Sequence, residues 1–171
     1  LKHRPTEPSE FKPVDLKATV YPLIRCVQEI PCNPCIEACP NHLISIDGSI
    51  LGLPEFKGEC QGCGRCVLAC PGLAIQLVIN DYDPTGETAL IMVPFEFTDE
   101  DTPMNREVTT TDMEGHVVGK GRVVAIRKRE DQDRRRLLLL EVPDNDKLKV
   151  AGFRVREPEE GQKVELPEDD D

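Results

Sequence analysis

Cys60-Gln61-Gly62-Cys63-Gly64-Arg65-Cys66-Val67-Leu68-Ala69-Cys70-Pro71 is the stretch on which the reading of this chain turns. It follows the pattern C-x2-C-x2-C-x3-C with a proline directly after. Upstream, Cys26, Cys32, Cys35, Cys39 and Pro40 follow C-x5-C-x2-C-x3-C-P, the same pattern with a longer first gap. The segments continue alike, with Asn41-His42-Leu43-Ile44-Ser45-Ile46 set against Gly72-Leu73-Ala74-Ile75-Gln76-Leu77, so the chain carries an internal repeat. All 8 cysteines lie between Cys26 and Cys70. Proline after the fourth cysteine fixes the turn there, because its ring locks φ and it has no N–H to donate. Gly62 and Gly64 permit positive φ, which lets the backbone come close and aim amide N–H groups at sulfur. Asn33 and Pro34 fill the equivalent gap of the first repeat, where Pro34 offers no such donor.

The downstream spacing is an iron-sulfur spacing, and residues from about Cys26 to Ile79 resemble a bacterial two-cluster ferredoxin domain. The resemblance covers about a third of the chain. It implies two 4Fe-4S clusters in a pseudo-symmetric fold, with the fourth cysteine of each motif crossing to the other cluster. Carried over by position, Cys26, Cys32, Cys35 and Cys70 hold the first cluster, and Cys60, Cys63, Cys66 and Cys39 the second. The long gap after Cys26 departs from the family pattern. The unequal N–H supply of the two gaps predicts unequal reduction potentials. Zinc is the competing metal, but structural zinc sites take two pairs of ligands, whereas each group here has three close thiolates and a fourth carrying proline. A disulfide framework belongs to small secreted chains and fits this spacing poorly.

Three neighbours of the cysteines were weighed. His42 reads as a turn residue in preference to a ligand. Arg25 and Arg65, each beside a cysteine, either raise the potential of a nearby cluster or sit as solvated surface charges, the commoner case.

Four segments are expected, in an α+β chain: an extended Pro-rich arm over 1–22, the two-cluster domain over 23–82, a small antiparallel β module over 83–156, and an acidic tail over 157–171. Strands are expected over 89–97, 117–126, 137–142 and 150–155, with a bulge at Gly119 or Gly121. Leu137 to Leu140 is a continuous apolar run that reads as a strand buried on both faces, or covered on one by another chain. Since every cysteine precedes Tyr82, removal of the β module is expected to leave the clusters intact.

The chain has 171 residues, a formal charge of −11, no Trp, 5 Phe and 2 Tyr. Few aromatics leave a lean core, for which a metal cross-link compensates. The charge argues against nucleic acid or an anionic membrane as partner. Lys120 to Arg136 is locally basic, but no aromatic side chain is interleaved for base stacking; solvated strand charges are the expected reading, and docking onto an acidic protein surface the next. With no membrane-length apolar run and no signal-type start, a soluble cytoplasmic protein is expected, though the first residue is Leu1 and a trimmed start stays open.

No G-x-G-x-x-G fingerprint, Walker loop or H-E-x-x-H motif is present. Electron carriers without substrate chemistry predict a one-electron transfer role. The additions beyond a ferredoxin's needs favour the iron-sulfur subunit of a multi-subunit oxidoreductase, non-catalytic in itself, over a free soluble ferredoxin. A module whose clusters only hold a fold is the third reading. The layout is similar to ferredoxin-like small subunits of flavin-dependent amine or amino-acid dehydrogenases, which implies a flavin on a partner chain.

Overall fold

The computed structural model describes residues 16–97, 102–130 and 134–157. Most of the expected arm (1–15) and nearly all of the acidic tail lie outside the described residues. The elements run β1 (Val20–Ile24), α1 (Pro34–Ala38), β2 (Ile44–Ser45), β3 (Glu55–Phe56), α2 (Arg65–Ala69), β4 (Ile75–Ile79), β5 (Thr88–Phe95), β6 (Glu107–Thr111), β7 (Val117–Arg127), β8 (Arg136–Pro143) and β9 (Gly152–Phe153). The last three residues of the expected arm are therefore the start of β1.

The cysteine region is strand-helix-strand written twice. β1 pairs antiparallel with β4, Tyr21 facing Val78, while β2 pairs with β3, Ile44 facing Phe56. α1 and α2 pack together between them. Each helix is one turn and a half, too short to hold itself in water, so its geometry is set by what it packs against.

The boundary expected at 82/83 falls in the turn between β4 and β5. Asp83 closes that turn, its carboxylate accepting the Thr85 N–H at 2.9 Å and the Thr85 hydroxyl at 2.6 Å. The sheet does not stop there. Leu77 pairs with Met92 and Ile79 with Leu90, which joins the cysteine region to the β segment in one seven-stranded antiparallel sheet of order β1-β4-β5-β8-β7-β6-β9. The eight-residue connection over 80–87 turns the chain back on itself, so the antiparallel ladder continues from β4 into β5.

Period-two alternation along β4, β5 and β8 supplies two cores, one on each face. Ile75, Leu77, Leu90, Met92, Leu137 and Leu139 face the helices and the cysteines. Val78, Ile91, Val93, Leu138, Leu140 and Val142 face the other way, where Tyr21, Leu23, Val108, Val123 and Val150 join them. Leu137 to Leu140 is thus buried on both faces within the chain itself. The expected bulge lies where Thr110 faces Gly119 but Thr111 faces Val117. Gly121 has no room for a side chain: a Cβ there would come within 2.8 Å of the Glu141 carbonyl oxygen.

Among the strands of the β segment, one was missed and one was expected longer than it is. β6 (Glu-Val-Thr-Thr-Thr) has a single aliphatic residue, so its alternation is invisible to a hydrophobic pattern; its Thr109 and Thr110 are nonetheless buried. The expected strand over 150–155 shortens to Gly152–Phe153.

Candidate metal centres

Each fourth cysteine ends a helix. Cys39 caps α1 and Cys70 caps α2, both with extended backbone (ψ 111° and 112°) that turns the chain away from the helix axis. The turns that follow are twins. His42 and Leu73, each three residues on, both adopt φ 51°, a left-handed conformation uncommon for residues with a Cβ. Their N–H groups donate to the carbonyls of Cys39 and Cys70 at 3.1 and 3.3 Å. One residue later, the Leu43 and Ala74 amides donate to the sulfurs of Cys39 and Cys70 at 3.4 and 3.3 Å. His42 is exposed and occupies the place that Leu73 takes in the second repeat, which makes it a turn residue.

The eight cysteines are free of disulfides. They gather in two hollows. One is lined by Cys26, Cys32, Cys35 and Cys70, with Gln28, Pro54 and Ile75 in its wall. The other is lined by Cys39, Cys60, Cys63 and Cys66, with Leu43, Phe56 and Leu77 in its wall. Each hollow therefore takes three cysteines from one repeat and one from the other, and Cys26 joins its group despite the long gap after it.

The donor sets fit a cationic group. Burial pushes the Cys35 thiol up to about 11, with Cys70 and then Cys32 and Cys26 adding to the rise. Burial likewise lifts Cys66 to about 12, with Cys60, Cys63 and Cys39 contributing. Cys60 is raised by burial and by Cys63 and Cys39, while the N–H of Gly62, 3.4 Å from its sulfur, works in the opposite direction. Cys35, Cys60 and Cys66 thus resist ionisation by themselves, and a positive core beside them would invert that preference. Gly62 and Gly64 take φ of 71° and 74°, and in this left-handed backbone the Gly62 amide meets the Cys60 sulfur.

Arg25 is not a solvated charge. It is fully buried, with its backbone N–H on the Ala74 carbonyl at 2.7 Å. Its Nε donates to Gln76 Oε1 at 3.1 Å and its Nη2 to the Leu148 carbonyl. Gln76 in turn donates to the Ala151 carbonyl at 2.7 Å. This polar lock ties the residue before Cys26 to the chain between β8 and β9. Sequence reasoning missed it because an arginine beside a cysteine has no burial signature of its own. Of the basic run, Lys120 donates to the Thr109 hydroxyl at 3.1 Å and Arg135 reaches back to α2.

No helix among the described residues is long and apolar enough to cross a membrane. Residues 56–76 match the family model for the 4Fe-4S binding domain. The chain is 45% identical over 47 residues to the polyferredoxin-like subunit of an aliphatic sulfonate oxidoreductase from Pyrococcus furiosus, covering 28% of this chain and 27% of that one. It is 38% identical over 47 residues to the electron transport protein HydN of Escherichia coli, covering 28% of this chain and 26% of HydN. It spans only about a quarter of these two relatives. Against the ketoisovalerate oxidoreductase subunit VorC of Methanothermobacter marburgensis it is 38% identical over 75 residues, 39% of this chain and 95% of VorC. No solved structure matches the chain. Since the likeness to VorC runs over nearly all of that protein, and the 4Fe-4S family model matches residues 56–76, the chain belongs to the 4Fe-4S ferredoxin-type family.

Proposed function

We propose that this chain is the electron-transfer, iron-sulfur subunit of a multi-subunit oxidoreductase and holds two 4Fe-4S clusters, one in each hollow. The observation that carries the proposal is the pair of hollows, each lined by four cysteines drawn from both repeats. Cys26, Cys32, Cys35 and Cys70 would hold the first cluster, and Cys39, Cys60, Cys63 and Cys66 the second. When bound, each cluster supplies a one-electron redox centre. The chain's own part is to supply thiolates, to aim the amides of Leu43, Gly62 and Ala74 at sulfur, and to keep water away with Phe56, Leu77 and Ile75. Such N–H donors stabilise negative charge on ligand sulfur and so favour a reduced centre.

The donor in this reading is a flavin on a partner chain, of the kind that oxidises amines or amino acids. A flavin takes electrons in pairs, and two one-electron centres divide the pair. A second reading comes from the likeness to VorC, whose name is that of a ketoisovalerate oxidoreductase subunit; there the partner chain oxidises a 2-oxo acid. Anaerobic purification from the source organism tests both. About eight irons and about eight acid-labile sulfides per chain are expected, with visible colour that bleaches reversibly on reduction. Bleaching by an amine with a flavin-bearing partner supports the first donor, and bleaching by a 2-oxo acid the second. Stoichiometric zinc without sulfide overturns the clusters. Colour that no reductant bleaches makes the clusters structural, and a lone chain that accepts electrons from unrelated reductases makes the protein a free ferredoxin.

A further inference from the structure

Arg135 stands immediately before β8, 65 residues beyond Cys70 in the chain. Its guanidinium nevertheless meets the end of α2. Nη1 donates to the Leu68 carbonyl at 2.7 Å and to the Cys70 carbonyl at 2.8 Å. The other side of the fork is held by Glu96, just past β5, which accepts from Nε at 2.7 Å and lies 2.6 Å from Nη2. The Arg135 side chain is only 21% exposed, so these contacts are partly shielded from water.

The chemistry of a helix end explains why this cation matters. The last carbonyls of a helix have no partner within it and carry the negative end of its dipole. α2 is five residues long and supplies little stability of its own. A planar guanidinium bound at one edge to a carboxylate and at the other to two carbonyls is fixed in orientation as an ammonium is not. The second carbonyl belongs to Cys70 itself, the residue that leaves its own repeat to join Cys26, Cys32 and Cys35.

We propose that Arg135 is a positioning residue for the first centre: it clamps the C-terminal end of α2 so that the Cys70 sulfur is presented to the hollow of the first repeat, and it places a fixed positive charge beside that ligand. This rests on the reading that Cys70 ligates a cluster. The clamp ties redox chemistry in the first repeat to a residue of the β region, through Cys70. It bears on that centre in preference to the other, because it holds the carbonyl of Cys70 itself, while Cys66 of the second set lies a turn back in α2.

The test compares R135Q, R135K and E96Q with the full-length, cluster-loaded protein, using C70S to mark which paramagnetic signal of the reduced protein depends on Cys70. The readouts are the midpoint potential of each signal and the rate at which a ferrous chelator draws iron from each centre. In R135Q the Cys70-dependent centre should fall in potential and release iron about tenfold faster, since charge-assisted hydrogen bonds to its ligand residue are lost. The other centre should keep both values. R135K should restore most of the potential, because the charge remains, while iron release stays fast because the fork is gone. E96Q should lie between R135K and the parent. Equal changes at both centres, or none at either, overturn the clamp. If C70S instead removes the signal of its own repeat, the crossed-ligand reading fails, and the clamp then stands or falls on whether R135Q moves that same signal. Should R135Q not accumulate, R135K and E96Q decide alone by the same two readouts.

Discussion

α1 and α2 are copies in sequence spacing and in length, yet they live in different surroundings. α1 buries only Cys35, while α2 buries Cys66, Val67 and Leu68. The difference comes from the β region. Met92, Leu137 and Leu139 pack in the core that holds α2, Gly64 at its start lies flat against Met92 and Leu137, and Arg135 closes its end. A repeated motif therefore specifies two like sets of thiols without specifying two like neighbourhoods. Among the described residues α1 is the more exposed helix, and α2 is anchored to the sheet.

The largest effect should come from removing the anchor. Truncation after Tyr82, expected from cysteine positions alone to spare the clusters, takes away Leu90, Met92, Leu137 and Leu139 from the core around Cys66 and strips β4 of one of its two partner strands. The truncated chain should retain less than about half of the parent's iron and lose cooperative thermal unfolding, since a core so reduced falls below what small domains need. Full iron and sulfide content after truncation, measured by metal analysis, would mean that the two repeats are independent of the sheet.

Next in size is Gly64→Ala set against Asn33→Ala at the equivalent place in the first repeat. A Cβ on Gly64 would collide with Leu137 Cδ1 and stand 2.7 Å from Met92 Sδ, with the backbone at φ +74°. Overpacking and positive φ together should cost about 2–4 kcal/mol. Asn33 has φ −139° and makes no side-chain capping bond, so its replacement should cost roughly 0.5 kcal/mol or less. Chemical denaturation of both variants checks the contrast, and equal losses would erase it.

Core truncation in the two helices sharpens the same point. Leu68→Ala removes a buried side chain and should destabilise by about 2–4 kcal/mol, whereas Ile36→Ala, at a half-buried place, should cost about 1 kcal/mol. Differential scanning calorimetry would show the ordering, and a reversed ordering would place the rigid anchor on α1.

The smallest effect concerns Arg25. Replacing it with Met removes a buried cation hydrogen-bonded to Gln76 and to the Leu148 carbonyl, and leaves those acceptors short of a donor. A loss of about 1–3 kcal/mol is expected, with a small drop in the potential of the centre containing Cys26. Gln76→Leu made on the Arg25→Met background should recover part of the stability, because an apolar pair needs no partner. No recovery would show that the lock matters through its bonds to the chain between β8 and β9.

The two gatherings of cysteines were legible in the sequence because a ligand motif is local in spacing. Thiolates at fixed short intervals and a proline after the fourth are written in consecutive residues, and the paired turns at His42 and Leu73 follow from the same register. The strands β5, β7 and β8 were legible too, since aliphatic and β-branched runs announce themselves. β6 was not, because threonines bury through their methyl groups while counting as polar.

What the amino-acid sequence by itself determined was the donor chemistry: eight thiolates in two like sets, and a β-forming segment after them. Only the tertiary structure decided that the segment continues the sheet of the cysteine region, that Arg25 is buried, and that Arg135 reaches Cys70. Those outcomes depend on strand order and on contacts between residues far apart in the chain, 51 positions for Arg25 and Gln76 and 65 for Arg135 and Cys70. Pairing of distant strands is chosen by the joint fit of both sheet faces, Leu137 and Leu139 on one side and Leu138 and Leu140 on the other. No window of neighbouring residues contains that fit, because burial is a property of the assembled sheet and not of the segment that enters it.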